Sequence, residues 1–246
     1  MSYVIYISIS MRITSIKTRR FKEGENLVSF LSTYASGLRE GDILSITSKI
    51  VALAESRTAP LSEKDRLMRE ESEWVVPSAV APIALKDGLL MAFAGIDESN
   101  ADGRIILLPR DSNATAARLR RTLMKRFGIK NLGVLIIDSH VLPLRAGVVG
   151  VALGYAGFSG IRDYRGTSDI FGRVMRMSRV DVADCLASAA VFMMGEGDEQ
   201  TPLAIIRDAP IDFSLRASAN ELSIDIKDDL YAPVLKIPKK LRKMRC

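Results

Sequence analysis

Leu132-Gly-Val-Leu-Ile-Ile-Asp138 is an unbroken apolar run that ends on an aspartate. Its length and its branched side chains predict a buried strand. Gly88–Asn100, GLLMAFAGIDESN, repeats the pattern and predicts a strand ending in Asp97. Upstream, Gly41–Arg57 reads GDILSITSKIVALAESR. Asp42 falls in a Gly-Asp turn, and the apolar run to Leu53 predicts a further buried strand with its exit. Met11–Ile16 and Pro202–Arg207 also read as strands, and residues 3–9 alternate as one more.

Helical patterns lie between these strands. Asn26–Ala35 places Leu27, Phe30, Leu31 and Tyr34 at helical spacing, with Gly24 before and Gly37 after. Ser62–Trp74 is charged and opens with a box-like Ser62-x-x-Asp65. Ala114–Phe127 is basic and amphipathic and closes on Gly128; Asp181–Met194 is alanine-rich and stops at Gly195. Strands and helices alternate throughout, so the fold class is α/β in the mixed, α+β sense.

The 246 residues suit one large domain or two small ones. With 48% apolar and 26% charged residues, the chain is neither disordered, nor collagen-like, nor a simple coiled coil. Cys185 and Cys246 cannot build a disulfide framework, and the single histidine excludes zinc sites made of several imidazoles. The net charge of +6 equals the six cations of the tail Lys236–Cys246, KIPKKLRKMRC, so the rest of the chain is near neutral. That tail suits a solvated end; nucleic acid or acidic lipid are its alternative partners. The start lacks a basic region and a cleavage site, and the longest uncharged stretch, Ala146–Ile161, is short for a membrane span. Its five glycines suit turns and close packing. The expectation is a cytoplasmic protein without a membrane partner, with 11–235 as one unit, 1–10 as an upstream extension and 236–246 as the tail.

Two strand ends that each deliver an aspartate suggest chemistry, because ligands of open α/β sheets bind at the carboxyl ends of strands. Asp97 is followed by Glu98, Ser99 and Asn100, and Asp138 by Ser139 and His140. Oxygen ligands without clustered imidazole or thiol suit Mg2+ or Mn2+, which commonly bridge to nucleotide phosphates. The acidic loop Glu196-Gly-Asp-Glu199 adds carboxylates. The same residues also suit plain loop signals. No Walker loop, dinucleotide fingerprint or Gly-x-Ser-x-Gly elbow occurs. His140 reads as a structural hydrogen-bonding group or a catalytic one. Cys185 reads as a buried thiol, and Arg118, Arg120, Arg121, Lys125 and Arg126 as a solvated helix face.

Segments 41–57, 95–100, 106–121, 133–166 and 181–197 in this order resemble the coenzyme F420-0:L-glutamate ligase (gamma-glutamyl ligase) family. GIDESN, ILLPRDSNATAARLRR, GVLIIDSH, the Arg145-Ala-Gly-Val-Val-Gly150 run and Met194-Gly-Glu-Gly197 carry the likeness. Met11-Arg12 falls where family members usually begin. The resemblance implies a two-lobed fold of mixed sheets with flanking helices, assembled as a homodimer. It implies a GTP-dependent ligase with two Mn2+ or Mg2+ ions, joining L-glutamate to a deazaflavin-type acid through an acyl phosphate. By the same resemblance Asp97, Asp138, Ser139 and Glu196 hold metal. Ser48, Asn100, Glu196 and Gly197 hold nucleotide, and Arg145 faces phosphate or a substrate carboxylate.

Several family positions differ. A lysine reaching the nucleotide becomes Leu53, an arginine after the Asp-Thr pair becomes Leu142, and a glycine-rich loop becomes Asp198-Glu199-Gln200. The metal-holding groups are kept while nucleotide-holding groups are lost. This leaves an alternative: a non-catalytic relative that binds a phosphorylated small molecule or RNA.

Overall fold

The computed structural model describes residues 10–214 and 221–235. The expected strand over 3–9 and the tail 236–246 lie outside the described residues. In chain order the elements are β1 (Arg12–Ile16), α1 (Leu27–Tyr34), β2 (Ile43–Thr47), α2 (Ser48–Ala54), β3 (Thr58–Pro60), α3 (Lys64–Glu70), β4 (Trp74–Val76), β5 (Ile83–Lys86) and β6 (Leu89–Ala92). Then follow β7 (Arg104–Ile106), α4 (Ser112–Phe127), β8 (Gly133–Val141), β9 (Val148–Ala156), β10 (Ile161–Asp163), β11 (Arg179–Asp181), α5 (Val182–Met194) and β12 (Leu203–Arg207).

The central sheet runs β1-β12-β2-β8-β9. β2 and β8 are parallel, with Thr47 opposite Ile137; the other pairs are antiparallel. Helices cover both faces, which is why β2 and β8 read as continuous apolar runs rather than alternating ones. Leu44, Ile46, Val134 and Ile136 pack with Leu31, Leu119 and Leu123 on the α1–α2–α4 side. Ile43, Leu135 and Ile137 pack with Ala187, Ala190, Ala204 and Ile206 on the α5 side. Asp42, almost wholly buried, is gripped by the Arg207 guanidinium at 2.7 and 2.8 Å, which ties the start of β2 to the end of β12. A parallel pair requires a long crossover. Here it carries the meander β4-β5-β6 and the pair β3-β7, built over Met68, Ala84, Ala94, Ile96, Ile105 and Leu107.

Helix ends follow local chemistry. Asn26 caps α1 through Ser29 N, Asp111 caps α4 through Ala114 N, and Asp181 caps α5 through Asp184 N. Gly128, with φ +69°, ends α4 in the left-handed conformation that favours glycine.

Several expectations are corrected. The apolar run from Ile43 is not strand to Leu53: it turns at Thr47 into α2. Ser62 is no cap, because α3 starts at Lys64 behind a 3-10 turn, and Trp74 opens β4. Asp97 does not end β6; a 3-10 turn, Phe93–Gly95, separates them. β8 continues past Asp138 to Val141, because β9 pairs with it beyond the point where β2 stops. The glycine-rich stretch is mostly strand β9. A side chain at Gly150 would land on the Ala187 carbonyl of α5, and one at Gly154 on the Ser112 backbone of α4, so the glycines serve close packing. Cys185 is exposed, since α5 buries Ala183, Leu186, Ala187 and Ala190 instead. Arg120 does not share the solvated face of α4: it is buried and donates from Nε to the Leu132 carbonyl at 2.7 Å. Among the described residues no helix is long and apolar enough to cross a membrane.

Candidate active site

The site forms where β2 ends and β8 continues beside it. Ser48 and Lys49 open α2 directly after β2. Because Thr47 pairs with Ile137, Asp138 lies next to Ser48, and the Ser48 hydroxyl donates to Asp138 Oδ1 at 3.0 Å. Burial pushes the Asp138 carboxyl up to about 6, against the opposing pull of Ser48 and Lys49; the nearby Asp97 charge adds to the rise.

Asp97 arrives from the crossover. Its backbone exchanges hydrogen bonds with Ile106 at 2.8 and 2.9 Å, which anchors it to the end of β7. Phe93 and Ala94 precede it with φ of +52° and +56°, a left-handed pair that non-glycine residues rarely adopt. Such strain persists where packing over-determines it, and Ala94 is fully buried. Asp97 Oδ1 accepts from Ser99 N at 2.6 Å. Its Oδ2 meets the Lys49 ammonium at 2.7 Å, and Lys49 also donates to Ser99 Oγ at 2.7 Å. Burial would raise the Asp97 carboxyl, but Lys49 and Ser99 outweigh it and the net shift is downward. The two aspartates thus sit side by side with opposite perturbations. Lys49 is the residue that sequence reading missed; its signal was a cation two residues past the end of a buried strand.

The third contributor is the loop after α5. Asn100, at φ +54°, donates from Nδ2 to the Gly197 carbonyl at 3.3 Å, and so brings this loop to the Asp97 segment. Gly197 N donates to Glu199 Oε2 at 2.8 Å, so the extra negative charge of the loop is folded back on its own backbone. Gln200 takes φ +58° where a glycine would be at ease. Glu196 is exposed beside this turn.

Other candidates fall elsewhere. Side chains alternate along β8: Val134 and Ile136 face the α2 side, while Leu135 and Ile137 face α5. Asp138 therefore points to the α2 side, where its partner Ser48 lies. Arg145 is exposed in the turn between β8 and β9, and Leu142 lies in the same turn. Leu53 packs against Ala52, Ala101 and Ile106, so apolar contact occupies the position of the family lysine. His140 is half-buried; burial lowers its pKa, and the Asp184 charge works against that.

Hard oxygen donors are what Mg2+ or Mn2+ takes. Among the described residues no three His, Cys, Asp or Glu side chains converge as a ready-made cage. The donor set therefore fits an ion held by one or two carboxylates and completed by phosphate oxygens and water, the usual mode for Mg2+. A small cavity of about 70 Å³ borders Asp138, Ser139 and His140 and shares Met91 and Leu153 with a groove of about 1080 Å³. Leu89, Leu90 and Pro109 give that groove apolar walls, and its charged lining is mixed: Arg110 and Arg121 stand among Asp111, Asp181, Asp184 and Asp229.

Residues 15–208 match the F420-0:Gamma-glutamyl ligase family. The chain is 36% identical over 213 residues to the coenzyme F420:L-glutamate ligase of Methanopyrus kandleri, covering 77% of this chain and 83% of that protein. It is 38% identical over 206 residues to the protein of the same name from Methanothermobacter thermautotrophicus, covering 75% and 81%. For the Methanocaldococcus jannaschii relative of that name the identity is 32% over 216 residues, covering 78% and 86%. The match spans β2, α2, Asp97, Asp138 and the loop after α5 together, and the chain belongs to the F420-0:Gamma-glutamyl ligase family.

Proposed function

We propose that this protein is a GTP- and divalent-metal-dependent ligase that joins L-glutamate to the carboxylate of coenzyme F420-0 or a related deazaflavin acid. The observation that carries this reading is the meeting of Ser48, Lys49, Asp97 and Asp138 at the carboxyl end of the parallel pair β2/β8. A ligand crevice is expected at such a place.

The γ-phosphoryl group of GTP passes to a carboxylate oxygen of the acceptor, giving an acyl phosphate and GDP. The glutamate amine then forms the C–N bond, the C–O bond to phosphate breaks, inorganic phosphate leaves and the amine loses a proton. Asp97 and Asp138 would hold the divalent ion, whose chemistry is to neutralise phosphate charge during transfer. Ser48 orients the Asp138 carboxylate. Asn100 and the Gly197 backbone fix the loop that borders the nucleotide, and Glu196 extends the acidic set on its exposed side. Ser139 and Arg145 enter this site only by family resemblance; Arg145 would reach a substrate from the β8–β9 turn. The groove, with Leu89, Leu90 and Pro109 as apolar walls, suits a flat ring system. A homodimer is part of the reading, supported by the bare apolar side chains Leu144, Ile170, Phe171 and Met177.

A thermal-shift panel tests it: GTP and ATP, each with Mn2+, Mg2+ or a chelator, on wild type and Asp97→Asn. Binding at 100 times Kd adds about 2.7 kcal/mol. That corresponds to roughly 5–10 °C for a chain of this size. The expected outcome is a metal-dependent shift with GTP that the variant loses, followed by glutamyl addition to F420-0 detected by mass. Absence of any shift would favour the alternative suggested by the apolar packing of Leu53: a relative that binds phosphorylated ligand or RNA without turnover.

A further inference from the structure

Arg120 sits in the middle of α4 and is only 9% exposed, yet it lines the large groove. Its Nε donates to the Leu132 carbonyl at 2.7 Å, just ahead of β8. A guanidinium carries five N–H donors and keeps its charge in folded proteins. Among the described residues this one bond is all that holds it, so both Nη groups remain for the groove. Burial lowers the Arg120 pKa, and no carboxylate opposes the shift. Residues 1–9, 215–220 and 236–246, outside the described set, contain no aspartate or glutamate to serve instead. A buried charge left without a partner is strongly destabilising. A neutral donor would hold the Leu132 carbonyl as well, so that contact alone does not account for a cation here.

The groove gives the charge a use. One wall is β9, the edge strand of the central sheet, from Ala152 to Gly157. At Leu153 the groove meets the small cavity of Asp138. At Gly157 it meets Arg120. A Cβ on Gly157 would fall 2.4 Å from Arg120 Nε, so the glycine, at φ +99°, leaves the guanidinium its place. Asp138 lies six residues beyond Leu132, about 20 Å along an extended strand. An acceptor whose reacting carboxylate is at Asp138 therefore reaches Arg120 only with its opposite end.

We propose that Arg120 recognises an oxyanion at the end of the acceptor remote from its reacting carboxylate, and so acts as a specificity determinant of the groove. The two Nη groups offer parallel donors, the geometry that two oxygens sharing a negative charge accept. The acceptor brings the counter-charge that the folded chain lacks at this position. The inference rests on the reading of the acceptor as a long acid lying in this groove.

The test uses the full chain as wild type, Arg120→Met, Arg120→Gln and Arg120→Lys. Binding of coenzyme F420-0, without nucleotide or metal, is measured by calorimetry. Arg120→Met is expected to bind it about tenfold to a hundredfold more weakly, the loss of one hydrogen-bonded charge contact. Arg120→Gln keeps a donor without the charge and should be nearly as weak. Arg120→Lys keeps the charge without the fork and should lie between Arg120→Gln and wild type. The metal-dependent GTP shift should persist in every variant, because the nucleotide end of the site is remote. Wild-type affinity in Arg120→Met or Arg120→Gln overturns the inference and leaves the acceptor reading standing. Equal losses in all three variants, which the broken Leu132 contact alone would give, overturn it too. If Arg120→Met does not fold, the order of Arg120→Lys and Arg120→Gln decides. Failure of wild type to bind F420-0 instead overturns the acceptor reading, and the role of Arg120 with it.

Discussion

Asp138 and Asp97 show how neighbouring carboxyls diverge. Asp97 has a lysine within ion-pair distance and ionises readily; Asp138 is shielded from water and resists ionisation. In the unfolded chain an aspartate titrates near ~4, whereas folded Asp138 titrates at about 6. The folded state thus keeps a proton that the unfolded state has already released. The resulting stabilisation is complete below about pH 4 and is lost as pH rises through about 6. Asp138→Asn stays neutral throughout and keeps an acceptor for Ser48. At pH 8 its Tm without ligand is expected to exceed wild type by about 2–8 °C, from roughly 1–2 kcal/mol of relieved burial. At pH 4 the two should coincide, and calorimetric scans at both pH values check this. Asp181, also pushed up by burial to about 6, leaves the variant a residual pH dependence in the same window. The same variant should lose metal-dependent nucleotide binding, so stability and function move in opposite directions.

At the scale of elements, the glycines of β9 set how closely α5 approaches the sheet. Gly150 meets the Ala187–Ser188 backbone, and Ser188 Oγ donates to its carbonyl at 2.8 Å. Gly150→Ala must push α5 away from β9, and is expected to destabilise by about 1–3 kcal/mol. Gly37→Ala is the control: it faces open space, and its effect should stay within about 0.5 kcal/mol. Urea titration of both variants makes the comparison. α1 and α5 were legible almost to the residue, with Asn26 and Asp181 acting on N–H groups three residues away, whereas α4 starts at Ser112 behind the Asp111 cap, ahead of the expected Ala114. α2 was not, because neither glycine nor proline punctuates Thr47-Ser48 and the β-branched apolar residues continue as Ile50 and Val51 inside the helix.

At the scale of the molecule, the segment between β10 and β11 projects Ile170 and Phe171, which are 92% and 88% exposed. The turn that carries them is held by Asp169 Oδ1, which accepts from Phe171 N and Arg173 N at 2.9 Å. Apolar side chains exposed on an ordered turn are where the proposed association is best sought. If the proposed homodimer uses this arm, sedimentation equilibrium should find wild type at twice the 27.0 kDa chain mass and Phe171→Asp at a single chain mass. Unchanged circular dichroism is expected, because so exposed a ring contributes little to the core. A variant that remains dimeric would place the interface elsewhere.

The sequence by itself determined the mixed α/β class, most element types, the aspartates at 97 and 138, and the family. These rest on local periodicity, on caps that act over three residues, and on an ordered set of short motifs. Only the tertiary structure decided that Lys49 stands against Asp97, that Asn100 holds Gly197, and that Leu53 is packed where a cation was expected. The pairs Ser48–Asp138 and Asn100–Gly197 join positions 90 and 97 residues apart. No local signal spans such separations; they are set by the strand order β12-β2-β8 and by the crossover that returns Asp97 to Lys49 at the carboxyl end of β2.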